Sequence, residues 1–299
     1  MFKHAPIDLQ SNSIRLVEVL PFDSNNPEGP IQCRIRHATT ANRYTCLSYV
    51  WGDEGSEHII MMNGEPYLVR QNLWDFLHVA SKCMATNNNF NVKKRHLDFT
   101  IALRSLWIDA LCIDQQFMRE RIHQVQQMGM IYSKAQRVLA WFGKDDETCS
   151  QFRNIKHRRG DSSELVSRFC QNAYWRRAWI TQETIIAREL WYMTHEEAVS
   201  NDEVWRGFGP TRQQFSSASA RSYLPEYKAL YDIRERTIGR TLGQNLGLHL
   251  EKACADPRDR VYSLLSISTD GASFEVDYNI STPELAKRVC RTLSNGCPC

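Results

Sequence analysis

The stretch Leu103–Gly143, LRSLWIDALCIDQQFMRERIHQVQQMGMIYSKAQRVLAWFG, decides the fold. Leu106-Trp107-Ile108 reads as a short apolar strand that ends at Asp109, with Asp114 soon after. From Arg119 to Ala135 the apolar positions Ile122, Val125, Met128, Ile131 and Tyr132 recur at helical spacing. Arg137–Phe142 is a second short apolar strand, closed by Gly143. Strand, helix and strand within about 40 residues make a βαβ unit, which predicts a parallel sheet covered by helices.

Working outward, Tyr44–Val50 is rich in β-formers and stops at Trp51-Gly52-Asp53-Glu54-Gly55. Residues 14–20 alternate as an edge strand does, and 21–30 is a Pro/Asn/Gly break. His58–Met62 and Tyr67–Val69 flank Asn63-Gly64, a pair that favours a tight hairpin turn. Leu73, Phe76, Leu77 and Ala80 are spaced as on a helix, whereas Ala85–His96 is polar, Asn-rich and reads as a loop or insertion. Downstream, Ser163–Asn172 reads as a helix and Glu189–Met193 as a strand. Beyond about 195 the pattern is mostly helical, with Ser200 and Glu203 at capping-box spacing and Pro257 at a helix start.

Composition bounds the function classes. The chain has 299 residues, 42% hydrophobic and 24% charged, and 37 basic against 34 acidic side chains leave a net charge of +3. That balance argues against a phosphate-driven nucleic-acid binder, and the clusters Lys93–His96 and His157–Arg159 read as solvated loops. No apolar run reaches the roughly 18 residues of a membrane span, and the N-terminus lacks the apolar core of a secretory signal. Ten cysteines without a C-x-x-C pair, several inside apolar runs, fit a reducing cytoplasm. The histidines show no metal-ligand spacing, so no metal site is predicted; Cys297-Pro298-Cys299 reads as a tail. Phosphate loops, dinucleotide fingerprints and nucleophile elbows are missing too.

What stands out is acidic residues beside aromatic ones at predicted strand ends and helix starts: Trp51 with Asp53 and Glu54, Asp109 with Asp114, and Glu183 after Trp179. Ligands of open parallel sheets sit outside the carboxyl ends of the strands, so these groups are candidates for one cleft. A carboxylate against an aromatic wall suits a sugar ring or an oxocarbenium-like transition state. Each has a plainer reading. Asp114 and Asp109 serve as turn or helix caps, Trp51 packs a loop, Glu120 complements a helix dipole, and Glu183 pairs with Arg176 or Arg177.

The same residues carry a family resemblance. Tyr44-x-x-Leu47-Ser48-Tyr49-x-Trp51-Gly52 with Asn72-Leu73 resembles the opening of the fungal heterokaryon-incompatibility (HET) domain. Leu106–Gln115, with Glu120-Arg121, Gln124-Val125 and Met128 to Tyr132, resembles its central block, continued by Ala135 and Val138–Gly143. Arg177-Ala178-Trp179-Ile180-Thr181-Gln182-Glu183 resembles its closing block, and Asp256–Leu265 resembles a region that often follows. The departure is Asp114, where the family more often has Asn. The resemblance implies a HET domain over 44–195, preceded by an edge strand and loop at 1–43 and followed by a mostly helical region at 196–299. That last region is either a short form or a truncated gene product.

HET domains are similar to TIR domains, which implies a flavodoxin-like α/β fold: a parallel sheet with flanking helices. The implied function is non-self recognition between fungal strains, ending in growth arrest or programmed cell death through self-association or another incompatibility protein. By the TIR analogy the alternative is an NAD glycohydrolase-type enzyme. Glu183 would be catalytic, Ser48, Tyr49, Trp51, Asp109 and Trp179 would bind substrate, and NAD would be that substrate, with no firm cofactor. A third reading is an adaptor acting through its C-terminal helices.

Overall fold

The computed structural model describes residues 1–86, 99–208 and 239–295. Nine strands form one mixed sheet: β1 Ser13–Val19, β2 Gln32–Thr39, β3 Thr45–Tyr49, β4 Glu57–Met62, β5 Glu65–Arg70, β6 Leu106–Trp107, β7 Arg137–Trp141, β8 Leu190–Met193 and β9 Ala198–Ser200. Their order across the sheet is β5-β4-β2-β1-β6-β3-β7-β8-β9. The helices are α1 Gln71–Thr86, α2 Phe99–Ala102, α3 Asp109–Cys112, α4 Met118–Lys134, α5 Asp146–His157, α6 Ser162–Gln171, α7 Ala178–Ile185 and α8 Asn201–Gly207. After residue 239 come α9 Leu242–His249, α10 Asp259–Tyr262 and α11 Thr282–Asn295.

The main parallel part is central, with a short parallel contact between β2 and β4 nearer one edge. β6, β3, β7 and β8 run in one direction, and β3 and β8 are buried along their whole length. Strands covered on both faces are mostly apolar, and a polar side chain among them, such as Ser48, needs a buried partner. Counted along the chain, these four strands lie in the order 2-1-3-4. The connection from β3 therefore leaves to one side and the next returns to the other, and the direction reverses between β3 and β7.

The expected parallel sheet is thus corrected to a mixed one. β1 pairs antiparallel with both β2 and β6, so it is an interior strand rather than an edge. β4 and β5 form the expected hairpin, with Asn63 and Gly64 both at positive φ in the turn. The sheet runs without a break across residue 43, so the N-terminal segment is part of the layer that carries β3. Arg15 of β1 ties it to α4 through a bidentate ion pair with Glu120, at 2.5 and 2.9 Å, both side chains being 2% exposed. Burial pushes the Glu120 carboxyl up, but the Arg15 hydrogen bonds and the Asp114 amide outweigh it and hold the group below its ordinary value. Glu120 sits in the first turn of α4, where the helix dipole favours its charge, and is also a buried anchor for Arg15.

Asp114 accepts from the Gln116 amide in a turn, while Phe117 occupies the N-cap of α4 without a side-chain cap bond. The capping box Ser200–Glu203 forms as expected, opening α8. Pro257 lies in the turn before α10 instead of inside its first turn. The stretch 87–96 and the tail 297–299 fall outside the described residues.

Candidate functional site

The reversal between β3 and β7 is where an open α/β sheet leaves a crevice. Ser48 and Tyr49 close β3 and pair with Ala140 and Trp141 of β7. Asn72, in the first turn of α1, bridges the two strand ends. Its amide donates to the Val50 carbonyl at 2.5 Å, and its oxygen accepts from the Trp141 indole at 2.9 Å. Gly52 and Gly143 flank it with φ of +79° and +98°, a conformation that lets each chain turn away from its strand.

Below this closure lies a buried carboxylate. Glu183 of α7 is 1% exposed. Its Oε2 accepts from the Ser48 hydroxyl at 2.5 Å, and Ser48 Oγ is 2.7 Å from the Tyr174 hydroxyl. The Tyr132 hydroxyl donates to the Leu47 carbonyl at 3.1 Å and also favours the charged form of the Glu183 carboxyl. Burial raises the Glu183 pKa from 4.5 to about 7; the positive charge of Arg177 opposes the rise, the Asp109 carboxylate adds to it, and the Ser48 and Tyr132 hydroxyls oppose it. Glu183 thus sits in a pocket of hydroxyls that exchanges a proton near neutrality.

A second, half-open layer stands above it. The Trp51 indole donates to Asp109 Oδ2 at 2.8 Å, and Asp109 Oδ1 accepts from the Ala110 amide at 2.8 Å, ordering the start of α3. Arg177 donates to the Tyr49 carbonyl at 2.5 Å, lies 3.4 Å from Asp109, and holds its guanidinium 5.4 Å from the Trp51 ring centre. Arg70 approaches the same ring at 5.6 Å.

Five of the six residues singled out in the sequence therefore come together: Ser48 and Glu183 below, Tyr49 between, Trp51 and Asp109 above. Trp179 does not join them, because its indole hydrogen-bonds the Asp259 carboxylate on the C-terminal side of α7. Nor does Glu183 form an ion pair with Arg176 or Arg177 among the described residues, since Arg177 pairs with Asp109. Sequence reasoning missed Tyr174, Tyr132 and Asn72 as site residues. Tyr174 opens the aromatic, charged run before α7, which is the one local signal it had.

These features define an α/β protein whose parallel strands carry a desolvated carboxylate at their reversal point. Residues 44–183 match the family described as "Heterokaryon incompatibility protein (HET)". It is also similar to "Heterokaryon incompatibility protein 6, OR allele" of Neurospora crassa, at 30% identity over 135 residues. That alignment covers 44% of this chain and 19% of the relative, so the chain spans a small part of that protein's length. No solved structure matches.

Proposed function

We propose that the chain is an effector of fungal incompatibility, responding to non-self through self-association of its HET domain and promoting growth arrest or programmed cell death. The match over 44–183 carries this reading, supported by the similarity to the Neurospora protein. The geometry favours a signalling module over an enzyme at work in this conformation, because no substrate reaches a carboxylate that is 1% exposed unless α7 moves. A cytoplasmic site of action fits the absence of disulfides among the described cysteines. No helix among the described residues is long and apolar enough to cross a membrane. The test is induced expression in a filamentous fungus with the assembly state measured in the same extract. Growth arrest together with oligomers is expected, and normal growth at full expression, or arrest by a protein that stays monomeric, refutes the reading.

A second reading is a TIR-like, NAD glycohydrolase-type enzyme, favoured by one observation: Glu183 stands beside the end of the first of four parallel strands ordered 2-1-3-4, the order of flavodoxin-like sheets. In it the Glu183 carboxylate stabilises the ribosyl cation, Ser48 orients that carboxylate, Tyr49 and Trp51 wall the nicotinamide, and Asp109 holds the loop. NAD turnover by concentrated wild-type protein against Glu183→Gln separates the readings. Loss of NAD in the wild type alone supports the enzyme, and no loss in an assembled sample refutes it.

A further inference from the structure

A different group of reactive side chains gathers beside the turn between β8 and β9. Cys149, in the first turn of α5, faces His195 and Glu196 of that turn. A sulfur, a ring nitrogen and a carboxylate oxygen lie there within 4.8 Å of one another. Asp146, also in the first turn of α5, places Oδ1 3.2 Å from His195 Nε2. His195 Nδ1 is buried and has no hydrogen-bond partner among the described residues. Strand pairing sets the turn: Met193 lies opposite Ala198, and the Thr194 amide donates to the Glu197 carbonyl at 2.9 Å. Both sides of the group are therefore held by regular structure.

We propose that Cys149, His195 and Glu196 form a zinc-binding site, with Asp146 orienting the imidazole. Thiolate, imidazole and carboxylate together are a zinc donor set, and a carboxylate on a ligating histidine is its usual support. Bonds of about 2.0–2.3 Å put tetrahedral ligand atoms roughly 3.3–3.8 Å apart, so a contraction on the order of 1 Å closes these three donors on an ion. Water supplies the fourth position. Binding releases the Cys149 proton to solvent.

Arg153 is the competitor. It donates to Glu196 at 3.0 Å and to Cys149 Sγ at 3.9 Å, and so supplies the positive charge these groups hold in common. Its Nε is also bonded to Glu197 at 3.1 Å, and its side chain is 45% exposed, so the guanidinium can yield Glu196 and keep a partner. An arriving ion displaces the contacts to Glu196 and Cys149 and leaves the one to Glu197.

The experiment titrates the full chain, stripped with a chelator, with cobalt(II) as a spectroscopic stand-in and then with zinc. One equivalent of cobalt should produce a thiolate-to-metal charge-transfer absorption that zinc abolishes. Cys149→Ser should lose that band and weaken binding by about 100-fold or more, while Cys290→Ser keeps both. Arg153→Gln leaves the three ligands in place and should tighten binding by about tenfold through loss of the competing charge. A wild type without the band, a Cys149→Ser protein that retains it, or an Arg153→Gln protein that binds no tighter overturns the proposal.

Discussion

Replacing Glu183 by Gln should stabilise the protein, by an amount that grows as pH rises from about 4.5 to about 7. The folded-state pKa of about 7 lies above the ordinary value of 4.5, so the folded protein holds a proton that the unfolded chain has already lost. The contribution of this group is fully present below about pH 4.5 and fades as pH rises through about 7. The two values differ enough that ionising the buried group costs about 3 kcal/mol of stability by alkaline pH. Glutamine keeps the shape and the bond to the Ser48 hydroxyl but carries no charge to desolvate. Urea denaturation of both proteins from about pH 5 to about pH 8.5 measures the difference directly. Apart from a constant offset for the amide, the variant should lead by about 1 kcal/mol near pH 5 and by about 3 kcal/mol at the alkaline end. Other titrating groups are common to both proteins and cancel. A difference that stays flat across the range would refute the claim that burial sets the proton affinity of Glu183.

Glu120→Ala leaves the Arg15 guanidinium buried with only the carbonyls of Ala5 and Cys112, and should cost about 3–5 kcal/mol by denaturation, whereas Glu147→Ala, which breaks an exposed pair with Arg168, should cost less than about 0.5. Gly129→Ala builds a Cβ 2.3 Å from that of Ser266, so it should destabilise by about 1–3 kcal/mol and raise amide exchange across 259–268, with Ser266→Gly restoring both. Asn72→Ala removes the bridge between Val50 and Trp141, and should shift Trp141 fluorescence and cost about 1–3 kcal/mol.

The centre of the fold was legible because its strands are buried on both faces. Tyr44–Val50, Leu106–Ile108 and Glu189–Met193 are dominated by apolar and β-forming residues, and each holds a strand where the sequence puts it. β2 and α5 were not legible. β2 reads Gln-Cys-Arg-Ile-Arg-His-Ala-Thr and shows mostly polar, exposed positions, since it covers β1 by pairing and not by apolar burial. α5 buries Cys149, Phe152 and Ile155 among charged residues, and its strongest signal is Asp145 capping the Thr148 amide. The Ser48–Glu183 contact spans 135 positions of chain, and the group at Cys149 and His195 is separated by most of α5, α6 and α7. Contacts of that kind have no spacing rule, so Glu183 was singled out by its place after Trp179 and by the family pattern, and the Cys149 group was not found at all.

The family match ends at residue 183, inside α7, yet every residue of that helix is buried. One side faces the sheet through the Ser48–Glu183 bond. The other is covered by the chain beyond residue 250: the Ala178 amide donates to the Ala253 carbonyl at 2.9 Å, Trp179 meets Asp259, and Ser266 donates to Gln182 at 2.5 Å. Arg121 of α4 adds its guanidinium 4.1 Å from the Tyr278 ring, clamping the same segment to the neighbouring helix. Desolvation is the largest influence on Glu183, and desolvation requires both sides. A fragment cut at the end of the matched region would expose the outer face of α7, wet the carboxylate and return it toward an ordinary acid. The C-terminal region is thus a structural half of the site rather than an appendage, and an adaptor role for it cannot be separated by deletion from the state of Glu183. Any event that lifts residues 253–268 from α7 acts on that carboxylate first, by admitting water, and on the strand ends above it second, through Arg177 at the start of the same helix.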